Sequence, residues 1–295
     1  TRVGAKKRQV LVTTNCQAGG ISLCLKALLP DTDVHMLPVW AVTPEAEVQT
    51  RTAIANADVW VTIMRDQALM QMAEGKQIVR IPYLNFPAFH PDVCYVRDAS
   101  GVMVRCMGDS DYHSLLALWS YRAGLGGEQA KAMFRPEVFR EIGYLDGWDS
   151  AIAAQRAVFA SSALSFDDYI RPLIAKVPFM HTPNHPDGMA IGQLSKLIAR
   201  QITGDEAVMK VPLHYLVQDT LSHIATWPLY PAIAEQFGLD GCYIWKLQHG
   251  SFFTSLDHFL TETYAHYDRL DVSGWTCDRL ENAELQSKLQ ILAGL

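Results

Sequence analysis

Short apolar runs alternate with segments of helical spacing over the first ninety residues. Val10-Leu11-Val12-Thr13-Thr14 is a β-branched run and reads as a buried strand. Residues 21–29 carry helical spacing and are stopped by Pro30. Residues 33–39 read as a second strand, ending at Val39 and Trp40. Residues 44–57 read as a helix, with Thr43 as N-cap and Pro44 at the first helical position. A third strand over 58–63, a helix over 66–74 ended by Gly75 and a fourth strand over 77–83 follow. This alternation predicts βαβ units, right-handed crossovers and a mainly parallel three-layer α/β fold.

The rhythm breaks at 93–106, where two apolar arms flank Asp98-Ala99-Ser100-Gly101, the signature of a β-hairpin excursion. Helical spacing dominates 112–175, with Ser165 and Asp168 as a capping pair. Strand character returns at 176–180, before His181-Thr182-Pro183-Asn184-His185-Pro186 and a helix over 189–202. Residues 212–226, 231–237 (closed by Gly238), 255–270 and 281–292 also read as helices. The pattern predicts a single α/β domain over 1–295, with a helical insertion at about 107–175 and a helical C-terminal addition at about 204–295. Aromatic residues crowd between Tyr215 and Tyr267 and read as helical core. The less regular stretch 245–253 is polar enough to line a pocket.

Composition narrows the function classes. The chain has 295 residues, 49% of them hydrophobic and 19% charged, which describes a packed globular protein. A net charge of −6 with interspersed signs argues against a general nucleic-acid binder. Six scattered cysteines form no C-x-x-C pair and point to a reducing compartment. No apolar run is long enough to span a bilayer, and the first eight residues lack the apolar region of a signal peptide. These features predict a soluble, cytoplasmic protein.

In open parallel sheets ligands bind beyond the carboxyl ends of the strands. Asn15, Cys16 and Gln17 follow strand one, Arg65 follows strand three, Asn85 follows strand four, and His181, Asn184 and His185 follow the late strand. Cys16 stands where a strand hands over to a helix N-terminus, a setting that lowers a thiol pKa and steadies an anion. It reads equally as a small buried residue in a tight turn. As a nucleophile it needs a base, and His185 is the first choice, His181 the second. Asn85 either donates to an oxyanion or is a polar turn residue. Arg65 is placed to meet a phosphate or carboxylate. No H-E-x-x-H, acidic ligand cluster or glycine-rich phosphate loop is present, so no metal ligand is assigned.

A strand ending in Asn15-Cys16-Gln17, a later strand ending near Asn85 and the Asn184-His185-Pro186 turn resemble the WcbI-type family of capsular polysaccharide biosynthesis. The resemblance implies an enzyme that binds coenzyme A and transfers an acetyl group from acetyl-coenzyme A to a sugar, nucleotide-sugar or polysaccharide acceptor. It implies catalytic Cys16, His185 and Asn85, with Asn15, Gln17, Arg65, His181 and Asn184 toward the donor. The layout is also similar to SGNH hydrolases, with an SGNH- or flavodoxin-like core. There Cys16 replaces the serine, and Thr182 stands where an acid would orient His185. A thiol esterase on this scaffold and a non-catalytic coenzyme A-binding protein are the alternatives.

Overall fold

The computed structural model of the chain describes residues 7–39, 43–106, 110–175 and 178–295. Trp40, the start of the 107–175 insertion and the 176–177 part of the late strand lie outside the described residues.

In chain order the strands are β1 (Arg8–Thr13), β2 (Thr32–Met36), β3 (Val59–Thr62), β4 (Gln77–Arg80), β5 (Val93–Cys94), β6 (His113–Ser114), β7 (Met180–Thr182), β8 (His185–Pro186), β9 (Trp245–Lys246) and β10 (Phe252–Phe253). The helices are α1 (Ala18–Leu28), α2 (Pro44–Asn56), α3 (Gln67–Met72), α4 (Leu115–Arg122), α5 (Gly127–Ala132), α6 (Pro136–Glu141), α7 (Gly147–Phe159), α8 (Phe166–Ile174), α9 (Gly188–Thr203), α10 (Leu213–Leu216), α11 (Pro231–Glu235), α12 (Leu256–Tyr267) and α13 (Ala283–Ala293). Contacts group them into two compact units. The first is Thr1–Asn85, Ala153–Met180 and His185–Leu221; the second is Phe86–Ile152, His181–Asn184 and Ser222–Leu295.

The first unit holds the predicted α/β core. Its four strands are parallel, in the order β2-β1-β3-β4. Val10 sits between Val34 and Val59, and Val61 faces Val79. Val10, Val12, Val59, Trp60 and Val61 are fully buried, as strands covered on both faces require. Since β2 and β3 flank β1 on opposite sides, right-handed crossovers put α1 on one face and α2 and α3 on the other. Helix α9 packs against α1 and α8 and completes that layer. The strands β2 and β4 end three residues before the predicted bounds, because Pro38 and Pro82 bring no N–H to the ladder. Thr43 and Ser165 cap where the sequence put them, accepting from Ala46 N and Asp168 N, and Gly75 takes left-handed backbone after α3. Asp66 and Asp187 cap α3 and α9, and Gly204 closes α9, without having been read as caps.

The second unit corrects two expectations. The hairpin tip forms, with Asp98 N donating to Val102 O and Val104 N to Val96 O. Its arms then part: Val93–Cys94 pairs with His113–Ser114, and Arg97 also exchanges both backbone bonds with Thr276. The first arm is thus taken by longer-range partners, while Cys106 of the second pairs with Ser110, so the hairpin stops after the bridge between Arg97 and Met103. The aromatic core is here as expected, with Trp245 stacked on Phe259 at 3.9 Å and Trp227 and Tyr230 buried. The stretch 245–253 forms the short antiparallel pair β9–β10. Tyr215, which falls in the first unit, departs from the pattern and is 69% exposed, on a helix of only four residues. The predicted helix over 212–226 stops there because later carbonyls have other partners. Lys246 Nζ binds Ser222 O and Ile224 O, and Thr226 pairs with the Lys246 backbone. Among the described residues no helix is long and apolar enough to cross a membrane.

A buried hydroxyl chain joins β1 to β3 just below the site. Trp60 Nε1 donates to Thr13 Oγ1 at 2.8 Å, Thr13 Oγ1 donates to Thr62 Oγ1 at 2.8 Å, and Met64 N donates to Thr62 Oγ1 at 2.9 Å. Replacing Thr13 by Val keeps the shape and strands a buried indole N–H. That costs about 1–3 kcal/mol. A urea titration is expected to show a lower midpoint for Thr13→Val and a near-native one for Thr13→Ser.

Candidate functional site

The end of β1 turns sharply into α1. Ala18 N donates to Asn15 O at 3.0 Å, and the Asn15 side chain accepts from Gln17 N at 3.2 Å and from the Thr14 hydroxyl at 3.3 Å. Asn15 is therefore the residue that shapes the turn holding Cys16. Gln17 is buried, and its Nε2 donates to Leu84 O at 3.4 Å. The same segment is clamped from α7, where Gln155 donates to Tyr83 O at 3.0 Å and accepts from Asn85 N at 2.9 Å. Asn85 is exposed, and its side chain makes no hydrogen bond among the described residues. Asn85 is thus delivered to the β4 end of the sheet by a backbone fixed on both sides.

The thiol contradicts one expectation. Burial pushes the Cys16 pKa up to about 11, where a helix N-terminus was expected to lower it. The backbone N–H groups of Cys16 and Gln17 interact with the sulfur and pull the pKa down, but by less than burial raises it. Cys16 is therefore a half-buried neutral thiol at neutral pH, set against two N–H donors ready to hold a thiolate. None of the six cysteines is in a disulfide.

A second helix start lies beside the first. A Cβ on Gly20 of α1 would stand 3.0 Å from Ile191 Cγ2 and 3.0 Å from Thr220 Oγ1. A Cβ on Gly188, the first residue of α9, would stand 3.1 Å from Asp219 Cβ. The Asp219 carboxylate accepts from Gly188 N at 2.9 Å and from Leu221 N at 3.0 Å, and Asp187 accepts from Ala190 N at 2.8 Å. Two glycine-lined approaches thus bring together the N-terminal turns of α1 and α9, which Cys16 and His185 precede. His185 is half-buried. Arg65, exposed beyond β3, is oriented by a hydrogen bond from its Nη2 to the Ser161 hydroxyl.

His181 and Asn184 fall in the second unit. Asn184 Oδ1 there accepts from Tyr112 OH at 2.6 Å and from Thr182 Oγ1 at 3.2 Å, and His181 O accepts from Trp227 N. Thr182 is fully buried in that cluster. Gln155, Asp219 and Thr220 were not singled out by sequence reasoning. Nothing in their local spacing marks them, because each acts through a contact distant in sequence. Among the described residues no group of three or more His, Cys, Asp or Glu side chains is arranged to hold a metal ion.

Comparison with known proteins follows the same line. The family model described as polysaccharide biosynthesis enzyme WcbI matches residues 9–205. The solved structure of WcbI, described as a novel polysaccharide biosynthesis enzyme, is similar with a TM-score of 0.70 at 13% identity, over 98% of this chain and 96% of that one. That structure is of the native protein without a disulfide bond between coenzyme A and one of its cysteines. At this identity the likeness is one of fold. No curated protein matches the sequence.

Two outcomes test this geometry. Alkylation of Cys16 by iodoacetamide, followed by peptide mass spectrometry, is expected to be slower at pH 8 than at exposed Cys242. Its rate should rise about tenfold per pH unit toward 11, since only the thiolate reacts. Gly20→Ala crowds Ile191 and Thr220 and should cost about 1–3 kcal/mol, read as a lower melting temperature.

Proposed function

Since the chain belongs to the WcbI family of polysaccharide biosynthesis enzymes, we propose that it transfers an acyl group, acetyl in the simplest case, from a coenzyme A thioester to a sugar hydroxyl. The observation that carries this reading is Cys16 beyond β1, its sulfur facing the N–H groups of Cys16 and Gln17, beside the turn that His185 precedes. Thioester exchange onto a thiol is nearly isoenergetic, so a cysteine suits a thioester donor. The coenzyme A named for the similar WcbI structure supports the same choice of donor. Arg65 supplies a cation for the donor's phosphates at the end of β3.

In the proposed cycle Cys16 gives its proton to His185 and its sulfur attacks the thioester carbonyl carbon. The carbonyl oxygen becomes an oxyanion, to which the Asn85 amide donates. Collapse breaks the carbon–sulfur bond to coenzyme A, whose thiolate takes the proton from His185. The sugar hydroxyl then attacks the acyl-cysteine and loses its proton to His185. The second collapse frees the sugar ester, and His185 reprotonates Cys16. The raised thiol pKa favours a second route in which Cys16 stays neutral beside the donor and His185 deprotonates the sugar directly.

Cys16→Ala and His185→Ala are each expected to lower transfer about 100-fold or more. Full transfer rates in both variants reject the proposal. Intact-mass spectrometry of protein mixed with acetyl-coenzyme A separates the routes, because only the covalent one leaves an acyl adduct on Cys16. Release of free acid that is indifferent to the sugar acceptor identifies a thiol esterase instead.

A further inference from the structure

An apolar cavity of about 360 Å³ opens in the first unit where β2 and β3 end, on the face covered by α2 and α3. Leu37, Val39, Ala46, Met64 and Leu69 form its apolar wall. The wall is bonded to the strand that delivers Cys16. Leu37 N donates to Val12 O and Val39 N donates to Thr14 O, two residues before the thiol. On the opposite wall, Met64 N binds Thr62 Oγ1, the hydroxyl that Thr13 holds. The cavity therefore lies beside the end of β1, at the reversal of strand order where doubly wound sheets receive ligands.

Four of its polar lining residues are already committed to partners within the chain. Arg51 is closed onto Glu47 through Nε at 3.0 Å and Nη2 at 2.7 Å. The Thr50 hydroxyl donates to Ala46 O at 2.8 Å, and Asp66 accepts from Leu69 N at 2.9 Å. Exposed Gln49 is left to offer an amide at the cavity, and a phosphate would meet an arginine already paired with Glu47. A volume of this order lies in the range of small-molecule sites and exceeds what an acetyl methyl needs.

We infer that this cavity is an acyl-chain subsite, and that the donor carries a straight acyl chain longer than acetyl. The inference rests on the coenzyme A-thioester reading and adds the donor class. The chain enters between Val39 and Met64 while its carbonyl stays at Cys16. Each methylene moved from water into such a wall strengthens binding about threefold to fourfold.

Calorimetry of the intact protein with coenzyme A, acetyl-coenzyme A and hexanoyl-coenzyme A tests this without an acceptor. The expected result is hexanoyl-coenzyme A binding at least about tenfold tighter than acetyl-coenzyme A. Ala46→Trp, which fills the cavity from α2, should lower that ratio at least about tenfold. Met64→Ala, which enlarges it, should move the preference to a longer chain. Equal affinity for the two thioesters overturns the acyl subsite and leaves the donor reading standing. A matching loss of affinity for coenzyme A itself in Ala46→Trp assigns the cavity to the nucleotide end and also overturns it. No binding of any of the three ligands overturns the donor reading and the subsite together.

Discussion

The chain of hydroxyls between Thr13 and Thr62 is the contact on which the site depends. Both threonines are fully buried at the carboxyl ends of adjacent strands, where no water can serve them. Trp60 supplies one N–H and Met64 another, so every member of the chain has a partner. The result pins the last residues of β1 to those of β3. Asn15, Cys16 and Gln17 follow within four residues of one anchor, and Arg65 within three of the other. The same anchors set the walls of the apolar cavity. A polar network this deep in a β-branched core is costly unless complete, which makes its geometry specific.

From that anchor outward, side-chain amides do most of the positioning. Asn15 closes the turn before α1, Gln17 crosses to the Leu84 carbonyl, and Gln155 holds the 83–85 backbone from α7. Charge is used sparingly. Cys16 shows the consequence, because the low dielectric that strengthens each of these bonds also penalises a thiolate. The N–H groups of Cys16 and Gln17 lessen that penalty without removing it. The proposed nucleophile is therefore inert at rest, and its proton has to leave as the donor arrives.

Local chemistry made the core legible in the sequence. Thr43-Pro44, Ser165 and Gly75 are helix-end signals that act within a few residues, and the structure uses each of them. The strands β1 and β3 were readable because burial on both faces demands continuous apolar runs. What failed was decided at long range. The first arm of the hairpin at 93–106 was claimed by β6 and by Thr276, and the helix expected over 212–226 was undone by Lys246. The thiol was misjudged for a related reason. A helix N-terminus can be read from sequence, whereas the burial that outweighs it is set by tertiary packing. Asn-Cys-Gln marked the place, and Asp219 and Gln155 had no local signal at all.

The absent acid at Thr182 looks different once the turns of α1 and α9 are considered together. In the serine-hydrolase arrangement a carboxylate lets the histidine carry a proton. Here Thr182 is buried with Tyr112 and Asn184, and it contributes no charge. A proton on His185 would also stand at the start of α9, where the helix dipole opposes it. Asp187 and Asp219 both lie at that start, accepting from Ala190 N and Gly188 N. Two carboxylates beside the first turn, one from the N-cap and one from the 219 segment, more than offset a dipole equivalent to about half a charge. In the proposed cycle the role of the missing acid thus passes to the helix cap. The cap carboxylates are already committed to backbone N–H groups, so they orient the helix and supply the field, while in the proposed cycle the imidazole takes the proton first from the thiol and then from the sugar hydroxyl.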